Sequence, residues 1–193
     1  MTQFKPCCIS IDPGLNTCGI AIFTFDNNRF SVKSTKLINN LRKLTDKEKV
    51  IAKKYTDRLA KLDTIVRVID DMFDELLGEG YEIVTLIVEA PFYSSFRPSA
   101  FGSLVETISL IRYNVAFRRD VEFFAMEPML VKKIFTDRGM ANKDDMKTKL
   151  LSKIQTKELD CPIDIDSISE HEIDAIAIGY SHFLTKIISS SVS

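Results

Sequence analysis

The chain has 193 residues, 45% hydrophobic and 27% charged, with a net charge of −1. That length suits a single domain able to bury a core without staples, and the hydrophobic fraction excludes a disordered chain. No apolar run approaches the roughly 20 residues a membrane helix needs, and Met1 to Ile11 carries no signal-peptide stretch, so a cytoplasmic protein with no membrane partner is expected. Cys7, Cys8, Cys18 and Cys161 show no CxxC spacing. They read as reduced core residues, with a zinc site as the weaker alternative.

In chain order, Cys7–Asp12 is an apolar run ending in an acid, followed by the turn residues Asp-Pro-Gly-Leu-Asn. Gly19–Phe25 is a second strand, Asp26-Asn27-Asn28 a hairpin turn, and Phe30–Ile38 a third strand. Thr45-Asp46-Lys47-Glu48 has capping-box spacing. Leu59, Leu62, Val66, Ile69, Phe73 and Leu76 then recur at helical spacing up to Gly78, in a helix long enough to break internally. Ile83–Val88 is an unbroken apolar strand closed by Glu89, with a loop at Ser94–Pro98.

Ser99–Phe117 reads as a helix with Leu104, Ile108, Ile111 and Val115 on one face. If that face lies on a thin edge of the domain, it is a candidate dimer surface. Val121–Ala125 is a fifth strand, Met129–Phe135 and Asp144–Ile154 are short helices, and Pro162–Ser169 is an acidic loop. Glu170–Ile188 is the last helix, so residues 1–188 form one domain and 189–193 a flexible tail. The hairpins supply an antiparallel side and the strand–helix–strand units a parallel side. The expectation is an α/β fold, a mixed five-stranded sheet with helices on both faces.

Charge is unevenly distributed. Lys33–Lys61 holds ten Lys/Arg against three Asp/Glu, and Glu158–Asp174 holds seven acids and no Lys/Arg. A basic face and a separate acidic pocket are one reading; solvated helix faces are the other. Asp12 and Glu89 each close an apolar strand at its C-terminal end, the edge where α/β sheets bind ligands. Adjacent carboxylates repel unless a cation neutralises them, and oxygen donors suit hard cations such as Mg²⁺ or Mn²⁺. A strand-end turn is the plain alternative for either acid. Glu170, His171, Glu172 and Asp174 open the last helix, where acids also compensate the helix dipole. His171 and Asp174, three apart, share a helix face, and Ala175, Ala177 and Gly179 allow close approach to a sheet.

These motifs carry a resemblance. Ile11-Asp12-Pro13-Gly14 with Gly19 resembles the opening motif of the RuvC family of Holliday-junction resolvases. Val88-Glu89-Ala90-Pro91-Phe92 is similar to the second motif, although Pro91 departs from the polar or aliphatic residue usual there. Val131-Lys132-Lys133 with Gly139–Lys143 resembles the two-lysine stretch, and His171–Ala175 the closing motif. The similarity runs in order from about residue 8 to residue 180, with a Lys33–Lys61 segment longer and more basic than the bacterial pattern, as in phage or viral members.

The resemblance implies a ribonuclease-H-like fold, a homodimer, and metal-dependent resolution of four-way junctions by paired nicks in recombination and replication. It implies two Mg²⁺ per active site, with Mn²⁺ substituting, held by Asp12, Glu89, His171 and Asp174; Asp12, on the central hairpin, is the expected bridging ligand. Lys132 and Lys143 would act at the scissile phosphate, and Phe92 would stack on a base at the junction centre. Arg97 and Lys133 are further candidate DNA contacts, with Arg118 and Arg119 as possible phosphate contacts. A broader endonuclease acting on forks, flaps and three-way junctions, or a non-catalytic junction-binding module, are the alternatives. A phage-encoded protein would work in the host cytoplasm.

Overall fold

Three strands come first: β1 (Lys5–Asp12), β2 (Thr17–Asp26) and β3 (Arg29–Asn39). Helices α1 (Asp46–Lys54) and α2 (Asp57–Gly78) follow, then β4 (Tyr81–Glu89). Helix α3 (Pro98–Ile111) continues as a π-helical turn, Arg112–Phe117, into β5 (Glu122–Met126). Helices α4 (Pro128–Thr136), α5 (Lys143–Gln155) and α6 (Glu170–Ser191) complete the chain. This computed structural model describes residues 4–26, 29–93, 95 and 98–191, without the side chains of 26, 29 and 187–191. The expected turn residues Asn27 and Asn28, part of the loop before Pro98, and the tail residues Val192 and Ser193 lie outside the described residues. The last helix runs three residues past the expected Ile188.

The five strands form one sheet in the order β3-β2-β1-β4-β5. β1 is antiparallel to β2, and β2 to β3, whereas β4 is parallel to both β1 and β5. This is the expected mixed sheet. Strand alternation sorts the core into two layers. Cys7, Ile9, Ile11, Ile20, Leu86 and Val88 meet α2 and α3 on one face. Cys8, Ala21, Phe23 and Ile87 meet α4, α5 and α6 on the other. All four cysteines are buried free thiols, as expected.

The long helical stretch breaks where capping chemistry interrupts it. Thr45 and Glu48 form the expected capping box on α1. Thr56 then caps α2 by accepting from the Leu59 N–H. Glu48 is buried under this junction, where it pairs with Arg42 at 2.7 Å and accepts from the Thr64 hydroxyl at 2.8 Å. The guanidinium and the hydrogen bonds hold its carboxyl far below the usual range.

Three expectations need correction. Ile108, Ile111 and Val115 are buried in the core against α2 and the sheet, with Leu104 partly buried beside them, so they form no free dimer surface. Their helix packs against α2, and the turn that continues it packs against the edge strand β5. Arg119 is committed within the fold: it bonds Asp70 at 2.8 Å and Asp74 at 2.7 Å, both on α2. The acidic run forms no single pocket. Glu158 pairs with Lys153 and Asp166 with Lys147, while Glu172 caps α6 by accepting from the Ser169 N–H and hydroxyl. No helix among the described residues is long and apolar enough to cross a membrane.

Candidate active site

The site lies where β1, β4 and α6 converge. From Cys8↔Thr85 the β1–β4 ladder runs in register to Ile11↔Val88, so Asp12 and Glu89 stand side by side one step further on. Ile11 and Val88 face the α2 layer; alternation turns Asp12 and Glu89 to the opposite face, under α6. Strand order thus does the work that the sequence expectation left conditional: the two acid-ended strands are neighbours.

Helix α6 reaches this edge because small residues let it. A Cβ on Gly19, which pairs with Asp12, would stand 2.0 Å from the His171 carbonyl oxygen. A Cβ on Gly179 would stand 2.3 Å from the buried Phe23 ring. Ser10, buried on β1, donates to the Ala175 carbonyl at 2.7 Å. The first turns of α6 are therefore clamped over β1 and β2, with His171 and Asp174 toward the acids.

His171 Nδ1 lies 2.6 Å from Asp12 Oδ2, and its Nε2 lies 2.8 Å from Thr17 Oγ1. The bond to Asp12 raises the imidazole pKa against the opposing effect of burial. Burial pushes the Glu89 carboxyl up to about 8, helped by repulsion from Asp12 and Asp174 and opposed by Lys132. Asp174 rises to about 6 from the same burial and from Asp12, with His171 and Lys132 pulling it back. Lys132, half-buried on α4, is therefore a cation of this site. Lys133, the next residue, is exposed and is not among the charges moving these acids. Lys143 stands at the rim, where it pairs with Glu170, whose carboxylate is 4.0 Å from His171 Nε2.

Among the described residues, no three carboxylate, imidazole or thiol groups close to the mutual distances of a metal cluster. The donor set nonetheless fits a hard divalent cation. It offers carboxylate oxygens and one imidazole, and the acids stand close enough to repel one another, which adds to the effect of burial in raising Glu89 and Asp174. Glu172 faces into its own capping box and is no donor here.

Phe92 is 53% exposed three residues past Glu89, and Tyr93 beside it is 66% exposed, edge-on to Phe101 at 5.9 Å. Phe92 supports no core packing in the single chain. Arg97 lies outside the described residues. Thr17 is the site residue that the sequence did not reveal. It sits in an ordinary strand start, and its partner is 154 positions away.

This mixed α/β fold is similar to that of Holliday junction resolvases of known structure. Thermus thermophilus RuvC in complex with a Holliday junction substrate superposes with a TM-score of 0.62 at 17% identity, over 95% of this chain and 96% of that one. The yeast mitochondrial Holliday junction resolvase gives 0.59 at 11% identity, over 93% and 77%. The fowlpox virus Holliday junction resolvase gives 0.50 at 14% identity, over 95% and 99%. Neither a protein-family profile nor a curated protein sequence matches the chain.

Proposed function

We propose that this protein is a divalent-metal-dependent DNA endonuclease that resolves four-way junctions, acting as a homodimer whose two sites nick opposed strands. One observation carries the reading: acids from three separate elements, Asp12, Glu89 and Asp174, converge with His171 on one sheet edge, two of them with strongly raised pKa values. The shared fold with junction resolvases, one of them bound to a Holliday junction, supports the choice of substrate.

Asp12, Glu89, His171 and Asp174 would hold Mg²⁺, or Mn²⁺ in its place, two per site. When bound, such cations supply activation of water and neutralisation of charge on the leaving 3′ oxygen. The protein's own cations complete the site. Lys132, already felt by Glu89 and Asp174, neutralises charge building on the scissile phosphate, and Lys143 reaches it from the rim by exchanging Glu170 for phosphate. Phe92, exposed beside Glu89, stacks on a base that is unstacked at the junction centre. Lys133 and Arg97 contact the backbone further out.

Incubating the full chain with a four-way junction, a fork, a flap and a plain duplex, in Mg²⁺ or in EDTA, tests this. Paired, symmetric nicks on the four-way junction in Mg²⁺ alone are the expected result. Equal cutting of forks and flaps reassigns the protein as a broader branched-DNA endonuclease. Junction binding without any nicking reduces it to a binding module.

A further inference from the structure

Thr17 opens β2 at the end of the turn that follows Asp12, and nothing in the reaction outlined above uses it. Its hydroxyl lies 2.8 Å from His171 Nε2, while the other ring nitrogen, Nδ1, lies 2.6 Å from Asp12 Oδ2. Nδ1 thus faces a carboxylate that is itself a candidate cation ligand, and Nε2 has a neutral hydroxyl at hydrogen-bond distance, with the Glu170 carboxylate further off at 4.0 Å. A histidine offers a cation only a nitrogen with a free lone pair, and its other nitrogen then carries the proton and needs an acceptor. A hydroxyl suits that second position, because it accepts from an N–H and also donates to a bare nitrogen.

We infer that Thr17 is a positioning residue that holds the His171 ring by Nε2 and leaves Nδ1 as the nitrogen offered, beside Asp12, to a divalent cation. The inference rests on the reading of this edge as a cation site.

The hydroxyl is well placed for the role because its backbone is held on every side. Thr17 pairs with Asn39 in the β2–β3 ladder. A Cβ on Gly14 would meet the Thr17 carbonyl oxygen at 2.3 Å, so the turn closes tightly upon it. The buried Asn40 donates its side-chain amide to the carbonyls of Leu15 at 3.0 Å and Lys61 at 3.2 Å, and its N–H to the Asn16 carbonyl at 2.8 Å. Lys61 donates to Asn16 Oδ1 at 2.7 Å. The turn is thereby tied to α2 and to the end of β3. On the other side the His171 backbone rests on Gly19. A ring fixed at both its backbone and its Nε2 has little freedom left.

The test is calorimetric titration of Mn²⁺ into the metal-free full chain, the Thr17→Val variant and the Thr17→Ser variant, each checked for cooperative thermal unfolding. Valine keeps the β-branched shape that a strand favours and removes only the hydroxyl; serine restores it. Second-shell partners of metal-bound histidines are worth about 10- to 100-fold in affinity. Thr17→Val is therefore expected to bind Mn²⁺ at least about 10-fold more weakly, and Thr17→Ser nearly as well as the parent. Parent-like affinity in Thr17→Val overturns the inference alone. So does an equal loss in Thr17→Ser, which would make packing, not the hydroxyl, the feature that matters. A parent that takes up no Mn²⁺ overturns the reading of the site itself.

Discussion

Glu89 shows how much a single carboxyl can report about its surroundings. Its pKa of about 8, with Asp174 at about 6, means that both acids bind protons more tightly in the folded chain than in the unfolded one. Between the unfolded values and these folded ones the native state carries the extra protons, so metal-free stability falls as pH rises through that window. A divalent cation competes with those protons and relieves the same repulsion. Mg²⁺ or Mn²⁺ should therefore raise the melting temperature more at pH 8 than at pH 6. Glu89→Gln should flatten the upper part of the metal-free slope; a melting series from pH 5 to 8 reads both. Asp12→Asn keeps the shape of the side chain and removes its charge. Cleavage should fall by several orders of magnitude while junction affinity holds or rises, since one fewer negative charge faces phosphate; parallel gel-shift and nicking assays separate the two. On the proposed reading, Phe92 bears on a different property. Base stacking is worth about 1–3 kcal/mol, so Phe92→Ala should slow cutting of branched DNA several-fold to about a hundredfold and spare Mn²⁺-driven nicking of single strands. Phe92→Tyr, which keeps the ring, should retain most branched-DNA cutting. Equal loss of both activities in Phe92→Ala would count against stacking.

Among the elements, α6 decides whether the acids meet at all, and Gly19 decides where α6 sits. A Cβ there would come within 2.0 Å of a backbone carbonyl, which has no rotamer by which to yield. Gly19→Ala should lift the first turn of α6, cost about 1–3 kcal/mol as overpacking does, and weaken Mn²⁺ binding by separating His171 and Asp174 from Asp12. Gly102, on α3, has nothing within 4 Å of the added Cβ, so Gly102→Ala should stabilise by about 0.4–1 kcal/mol. Urea midpoints of the two variants should thus move in opposite directions. The contrast also marks what is legible in a sequence. The strand runs ending at Asp12 and Glu89, the capping box at Thr45, and the small residues of α6 are local signals, and each appears in the structure where local chemistry put it. The bond from His171 to Thr17, the ties from Arg119 to α2, and the burial of Ile108 and Ile111 depend on segments that meet only after the sheet is ordered. A helix face of Leu104, Ile108 and Ile111 looks the same in sequence whether it covers a sheet or a second subunit.

For the molecule as a whole, a net charge of −1 hides a division of labour among its cations. Within the basic segment, Lys33, Arg42, Lys49 and Arg58 are paired with acids. Lys36, Lys43, Lys47, Lys53 and Lys54 are exposed and have no ion pair among the described residues. On α1, Lys47 and Lys54 are seven residues apart, two turns along one exposed stripe. The chain leaves β3 at Asn40, whose side chain is bonded to the turn that follows Asp12, so the segment that leads into α1 starts at the same edge of the sheet as the acids. A duplex arm leaving the cut site could lie along these lysines, its phosphates replacing counterions. Six such contacts, counting Lys132, would give a slope of log affinity against log salt of roughly −5. The double variant Lys47→Ala/Lys54→Ala should reduce the magnitude of that slope by about 2 while leaving the rate of cutting at saturating junction and metal close to the parent's. Lys132→Ala should do the reverse: a slope changed by about 1, with a large fall in rate, because its charge acts on Glu89 and Asp174 and, in the proposed mechanism, on the scissile phosphate. Filter binding between 50 and 300 mM salt, alongside single-turnover cleavage, measures both quantities. A double variant with the parent's slope would place those lysines away from the DNA, whatever the chemistry at the acid edge.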